Sequence, residues 1–312
     1  MRIQGWIPRV GRSPSPPFLP ARAADVADTV ELRSEQPTPD LSAALQAYRQ
    51  SAQRPYYDAE ADRQARDAYY RGASNLAGQD LFAPLSRLLR DTHRRELGYD
   101  PARYVYPWVD LQPDRQLRSI YSGREIDPEQ AIRQELDPVA WSAELLIRPE
   151  LACARAALQD AEEAFNCEHV VPQSWFERQQ PMRGDLHHLF ACDPVCNSYR
   201  GNLAYYDFPD YGQTDRDGCG HASHETDRFE PESGKGAVAR ATLYFLLRYP
   251  GELSQYRRED IETLLRWHRE HPVSLHEQHR NAAIQELQGN RNPLIDFPEW
   301  ADRIDFARGL AA

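Results

Sequence analysis

The stretch NCEHVVPQSWFERQQPMRGDLHHLFACDPVCNSYRGN, from Asn166 to Asn202, concentrates three histidines, three asparagines, four acids and three cysteines between apolar runs. These are the residue types of metal-assisted acid–base chemistry. Glu168 offers a hard carboxylate oxygen suited to Mg²⁺ or Ca²⁺, and its neighbour His169 an imidazole that takes a proton near neutral pH. Asn197 offers a neutral amide oxygen, and Arg200, three residues on, places a guanidinium on the same helix face. Gly201 leaves that face open to close approach. Phosphodiester hydrolysis asks for such a set. Water must lose a proton, charge on the phosphoryl oxygens must be neutralised, and the leaving 3′ oxygen must be stabilised.

Those side chains need elements to position them. CEHVV is short and β-branched, and DLHHLF alternates Leu186, His188 and Phe190 with His187 and Leu189, which predicts two strands of an antiparallel pair. DPVCNSYRG is predicted to be a short helix: Asp193 is a good N-cap, Pro194 sits where its missing N–H costs nothing, and Gly201 ends it. The order is strand, loop, strand, helix. Neighbours on a regular strand point to opposite faces, so Glu168 and His169 serve one site only where the strand ends or twists.

The motifs EHVVPQSWF, MRGDLHHL and NSYRGN, in that order, resemble the bacterial endonuclease I family, secreted or periplasmic nucleases of the ββα-metal (His-Me finger) class. The resemblance continues upstream through YSGR and downstream through FEPESGKGAVARATLYFLLRYP, WHREHPV and QGNRNP, covering the chain from Leu85 to Trp300. It implies an α+β fold, a mostly helical domain surrounding a small ββα core at residues 166–202. It also implies that His169 is the general base, that Glu168 and Asn197 hold a single Mg²⁺ (with Mn²⁺ or Ca²⁺ as substitutes), and that Arg200 contacts phosphate. The implied partner is nucleic acid, DNA and also RNA, cut with little sequence preference to leave 5′-phosphates. Cys167 departs from the family's usual basic or polar residue, and CDPVC puts two cysteines around the metal-ligand helix.

Cys192, Cys196 and Cys219, with His221 and His224 in CGHASH, fit a tetrahedral structural Zn²⁺ site, a disulfide or free buried thiols. The zinc arrangement supports a rival reading of the chain, a non-catalytic zinc-stapled module that binds nucleic acid or protein. A second rival, a zinc hydrolase, would use the helical pairs His268 and His271 or His276 and His279, which read more simply as polar helix faces. His187 and His188 read as hydrogen-bonded core histidines and Asp185 as a turn residue at strand entry. QGNRNP either packs the C-terminal helix or presents Asn290 and Arg291 to phosphate.

Chain-wide properties bound these readings. At 312 residues, with 41% hydrophobic and 27% charged content, the chain is long enough for a large core. The net charge of -11 argues against a protein that coats nucleic acid through a basic surface, so any polyanion site is local and its binding should be steeply salt-sensitive. Basic charge is almost wholly arginine, Lys235 being the one lysine. The longest apolar runs, such as ATLYFLL from Ala241, fall far below the roughly 20 residues of a membrane span. The N-terminal segment lacks an apolar h-region and does not read as a secretory signal, so the sequence alone reads as cytoplasmic while the resembled family is exported.

Residues 1–40, rich in Pro, Ser and Arg, are predicted to be a flexible tail, and 41–312 a single domain. Helical spacing marks LSAALQAYRQ, YYDAEADRQARDAYYR, LFAPLSRLLRDTHRREL, PEQAIRQEL, ACARAALQDAEEAF, AVARATLYFLLRYP, REDIETLLRWHREH and LHEQHRNAAIQEL. YVYPWVDL and RSIYSG are predicted to be brief strands. DFPDYGQTDRDGCGHASHETDRFEPESGKG shows no period and is predicted to be a long functional, metal-tied or mobile loop.

Overall fold

The computed structural model describes residues 40–71, 80–137, 167–213 and 218–311. The tail predicted for residues 1–40 lies outside them except for Asp40, and so does the helix predicted over ACARAALQDAEEAF. Residues 38–312 cluster as one unit. The architecture is mostly helical with small sheets of two or three strands, the α+β arrangement expected.

Helices α1 (Leu41–Ser51), α2 (Ala59–Tyr69) and α3 (Phe82–Thr92) lead in, the first two capped by Asp40 and Asp58 through bonds to first-turn amides. A single turn, α4 (Pro101–Tyr104), then runs into a π-helical turn at Val105–Val109. This segment was predicted to be a strand. Asp100 caps the turn and Pro101 sits at its first position, while Val105, Tyr106 and Val109 are fully buried, so capping and packing override the β propensity of valine and tyrosine. β1 (Leu117–Arg118) and β2 (Glu125–Ile126) form a hairpin, followed by α5 (Pro128–Leu136) with Asp127 as its cap.

The predicted ββα element follows. β3 (Glu168–His169) pairs antiparallel with β4 (Leu189–Phe190), Glu168 opposite Phe190 and His169 opposite Leu189. The second strand is shorter than DLHHLF predicted, because Leu186–His188 forms a 3₁₀ turn. Gln288 Oε1 accepts the Leu186 amide at 3.1 Å and Asp185 Oδ1 accepts the His187 amide at 3.1 Å, which removes both from the ladder. α6 (Pro194–Arg200) has Asp193 as cap, accepting from the Cys196 amide at 2.9 Å, and ends at Gly201 with φ +53°.

The long loop proves structured in part. β5 (Ala204–Tyr205) pairs parallel with β7 (Arg228–Pro231), which pairs antiparallel with β6 (Gly220–Ser223). A Cys196–Cys219 disulfide ties this sheet to α6. Three helices close the chain: α7 (Lys235–Arg248), α8 (Arg258–Glu270) and α9 (Leu275–Gln288). In α9, Ser274 and Glu277 form a capping box and Gly289 stops it at φ +101°, where a Cβ would lie 2.6 Å from Thr92 O.

The core has two parts, and the ββ pair lies between them. Val170, Val171 and Phe190 join Leu85, Phe245, Leu246 and Trp267 in one, while Cys167, Leu186 and Leu189 join Val105, Ile132 and Ile284 in the other. Each large apolar side chain fully buried here contributes about 1.5–3 kcal/mol. α7 is buried almost all round, as its apolar run demands. The strand carrying Glu168 and His169 is therefore clamped from both sides.

Candidate active site

β3 sends its two ionisable side chains to different neighbourhoods, as strand alternation requires. Glu168 is 3% exposed, and its Oε1 accepts from Tyr121 Oη and, at 3.0 Å, from Arg200 Nη1. Burial pushes its carboxyl up to about 6 against the pull of Arg200, so it is ionised at neutral pH. Among the described residues nothing donates to Oε2. That oxygen is of the hard type that a magnesium or calcium ion takes, and Asn197, the other expected ligand, lies half-buried on α6, whose Arg200 holds the same carboxylate.

Arg200, expected to contact phosphate, is engaged inside the protein. It is 1% exposed, pairs with Glu168 at 3.0 Å, and donates to the carbonyls of His169 at 3.2 Å and Val170 at 2.8 Å. Its guanidinium lies 5.0 Å from the Tyr205 ring centroid. It braces the strand end and the Glu168 carboxylate from inside. The i, i+3 spacing with Asn197 holds, yet a seven-residue helix packed on the strand turns Arg200 inward.

His169 is 5% exposed and its Nε2 lies 2.9 Å from Arg183 O. A carbonyl only accepts, so Nε2 carries the proton and Nδ1 the lone pair. The ring stacks on Tyr99, centroids 5.0 Å apart at 23°, and meets His188 edge-on at 5.3 Å. Burial, then His188, Arg183 and Arg200, hold its pKa well below the ordinary histidine value, keeping it neutral and basic at pH 7. Tyr121, Tyr99 and Arg183 were not singled out from the sequence. Their roles arise from contacts 14 to 70 residues away along the chain, for which local pattern carries no signal.

The cysteine question is answered by the disulfide. Asp193, Cys196 and Cys219 bring ligand-type atoms within 4.8 Å of one another, a metal-compatible cluster, but the two sulfurs are bonded together and offer thiolates only when reduced. Cys192 is a buried thiol beside Ser119, and His221 packs edge-on against Phe208.

The remaining polar motifs belong to the scaffold. Asp185, fully buried, accepts from Tyr244 Oη at 2.8 Å, Tyr249 Oη at 2.9 Å and Gln288 Nε2 at 2.7 Å. Against the effect of burial, His93, His187 and His188 and the Gln288 amide hold its carboxyl well below the usual range. In QGNRNP, Asn290 bonds Gln288 and Tyr244, and Arg291 pairs with Asp62 and Asp296, so both pack inward. His268, His276 and His279 contact the carbonyls of Pro298, Asp110, and Tyr56 with Trp108, so three of the four helical histidines are engaged by backbone.

Comparison with known proteins agrees with the geometry. The profile described as Endonuclease I matches residues 85–299. The chain belongs to the endonuclease I family. It is 29% identical over 256 residues to an extracellular ribonuclease of Bacillus amyloliquefaciens, covering 76% of this chain and 78% of that protein. An extracellular ribonuclease of Bacillus subtilis (strain 168) is 35% identical over 161 residues, 45% of this chain and 54% of the relative. A periplasmic deoxyribonuclease of Aeromonas hydrophila is 33% identical over 152 residues, 41% and 62%. Family membership, with the Asp193, Cys196 and Cys219 cluster as a candidate metal site, supports a metal-dependent, nuclease-like centre, and no described helix is long and apolar enough to cross a membrane.

Proposed function

We propose that this protein is a metal-dependent endonuclease that hydrolyses phosphodiester bonds of DNA and of RNA, with little sequence preference, to 5′-phosphate products. The observation that carries the reading is the anchoring of His169: the Arg183 carbonyl holds Nε2–H and leaves Nδ1 to take the proton of an attacking water. Glu168 and Asn197 would hold a divalent cation, which would neutralise phosphoryl charge and stabilise the leaving oxygen. Arg200 acts as a positioning residue that keeps the Glu168 carboxylate ionised and the strand carbonyls in place. The kinship supports both substrates, since relatives named as ribonucleases and as a deoxyribonuclease match the same chain. The zinc-stapled binding module has less support, because its thiolates are joined in the disulfide.

The test is cleavage of supercoiled plasmid and of single-stranded RNA, with magnesium or with chelator, by wild type, Glu168→Ala, Asn197→Ala and His169→Ala. The two ligand variants should need more magnesium, and added magnesium should recover part of their activity, whereas the histidine variant should not respond. Folded, magnesium-supplied wild type that cuts neither substrate would sink the proposal.

A further inference from the structure

With Arg200 buried against Glu168, the set Glu168, His169, Asn197 and Arg200 supplies no cation that faces the substrate. We infer that Arg183 is that residue, its guanidinium binding a non-bridging phosphodiester oxygen beside His169. The inference rests on the nuclease reading and extends it to a side chain that neither motif nor kinship assigns.

Position is the first ground. The Arg183 carbonyl receives His169 Nε2–H at 2.9 Å, so the residue that would bind phosphate also fixes the base. Its side chain is half-buried and aimed by two contacts: Nε donates to Gln173 Oε1 at 3.0 Å, and the guanidinium carbon lies 5.4 Å from the Tyr99 ring centroid. Tyr99 in turn stacks on His169. One tyrosine ring thus sets both the guanidinium and the imidazole.

Charge is the second. Arg200, Arg240, Arg280 and Arg291 are buried and each pairs with a carboxylate, on Glu168, Glu277, Asp110, and Asp62 with Asp296. Among the described residues no carboxylate pairs with Arg183, and none accepts from its Nη1 or Nη2. Burial works against the guanidinium's charged form, Tyr99 acts the other way, and Arg178 nearby adds like charge. A partly desolvated cation is normally held by a counter-ion. The two forked N–H pairs left over match phosphate oxygens in the bidentate geometry that arginine prefers.

The variants are Arg183→Ala and Arg183→Lys, with Arg178→Ala as an exposed control. The alanine change leaves the carbonyl that anchors His169, so thermal unfolding should be unchanged. On a short oligonucleotide kcat/KM should fall ~10- to 100-fold, with lysine recovering part as a point charge. The slope of log(kcat/KM) against log[salt] should fall by about one for Arg183→Ala. Replacing the scissile-side phosphate by a neutral methylphosphonate should erase the difference in binding between wild type and Arg183→Ala, measured by anisotropy in chelator. A purely structural Arg183 would lower activity with the salt slope and the methylphosphonate difference unmoved, and that result would overturn the inference. Wild type that binds the oligonucleotide through Arg183 without cutting it would count against the nuclease reading alone.

Discussion

Arg200 Nη1 stands 3.0 Å from Glu168 Oε1, with both side chains buried. The pair joins the last turn of α6 to the strand that bears His169, so the Glu168 carboxylate and the helix carrying Asn197 are tied by one ion pair. Removing the cation leaves a buried carboxylate unpaired, which costs about 3–5 kcal/mol. Arg200→Ala should therefore lower the urea midpoint strongly and raise the magnesium requirement, with Arg200→Lys in between. A variant of wild-type stability whose only defect is weaker substrate binding would return Arg200 to the role of phosphate clamp.

His169→Ala should keep the fold and lose cleavage by the ~10²- to 10⁴-fold typical of a general base. Because burial and neighbouring positive groups depress the imidazole's pKa, the wild-type rate should rise with pH below 6.5 and be level at neutrality, and a bound cation acts in the same direction. The pH–rate profile of the single-turnover step reads this. A limb centred at or above 6.5 would contradict the depressed value.

Breaking the Cys196–Cys219 bond, which closes a sequence separation of 23 residues, should cost about 2–4 kcal/mol. Cys196→Ser and Cys219→Ser should lose equal stability, and turnover that remains should still need magnesium. Mass spectrometry without reductant should find the disulfide in protein from an oxidising compartment, and metal analysis of that protein should find no zinc. Stoichiometric zinc on protein with both thiols free would revive the zinc staple.

Asp185 should make stability pH-dependent. Its folded pKa lies below the ~3.9 of an unfolded aspartate, so its contribution is complete above about 3.9 and is lost as pH falls toward the folded value. Asp185→Asn should lower stability at pH 7 and flatten the acid side of a plot of urea midpoint against pH from 2 to 6. Equal slopes in both proteins would remove Asp185 from the account.

The sequence by itself determined the local elements and the chemical type of the site. Asp193, Pro194 and Gly201 carry the start and stop of α6 in their own side chains and backbone freedom, and Ser274, Glu277 and Gly289 do the same for α9, so short-range physics suffices. The pairing of β3 with β4 was legible for the same reason, from β-branched and alternating residues. What tertiary structure decided is where the charges point. The length of β4 depended on Gln288, about a hundred residues away, taking the Leu186 amide. The role of Arg200 depended on Tyr121, Tyr205 and Glu168 surrounding it, and the choice of disulfide over zinc depended on β6 and α6 bringing Cys219 to Cys196. A buried ion pair, a tautomer held by a distant carbonyl and a sulfur–sulfur bond each need two groups brought together in space, and sequence spacing is blind to that once the separation exceeds a helical turn or a hairpin.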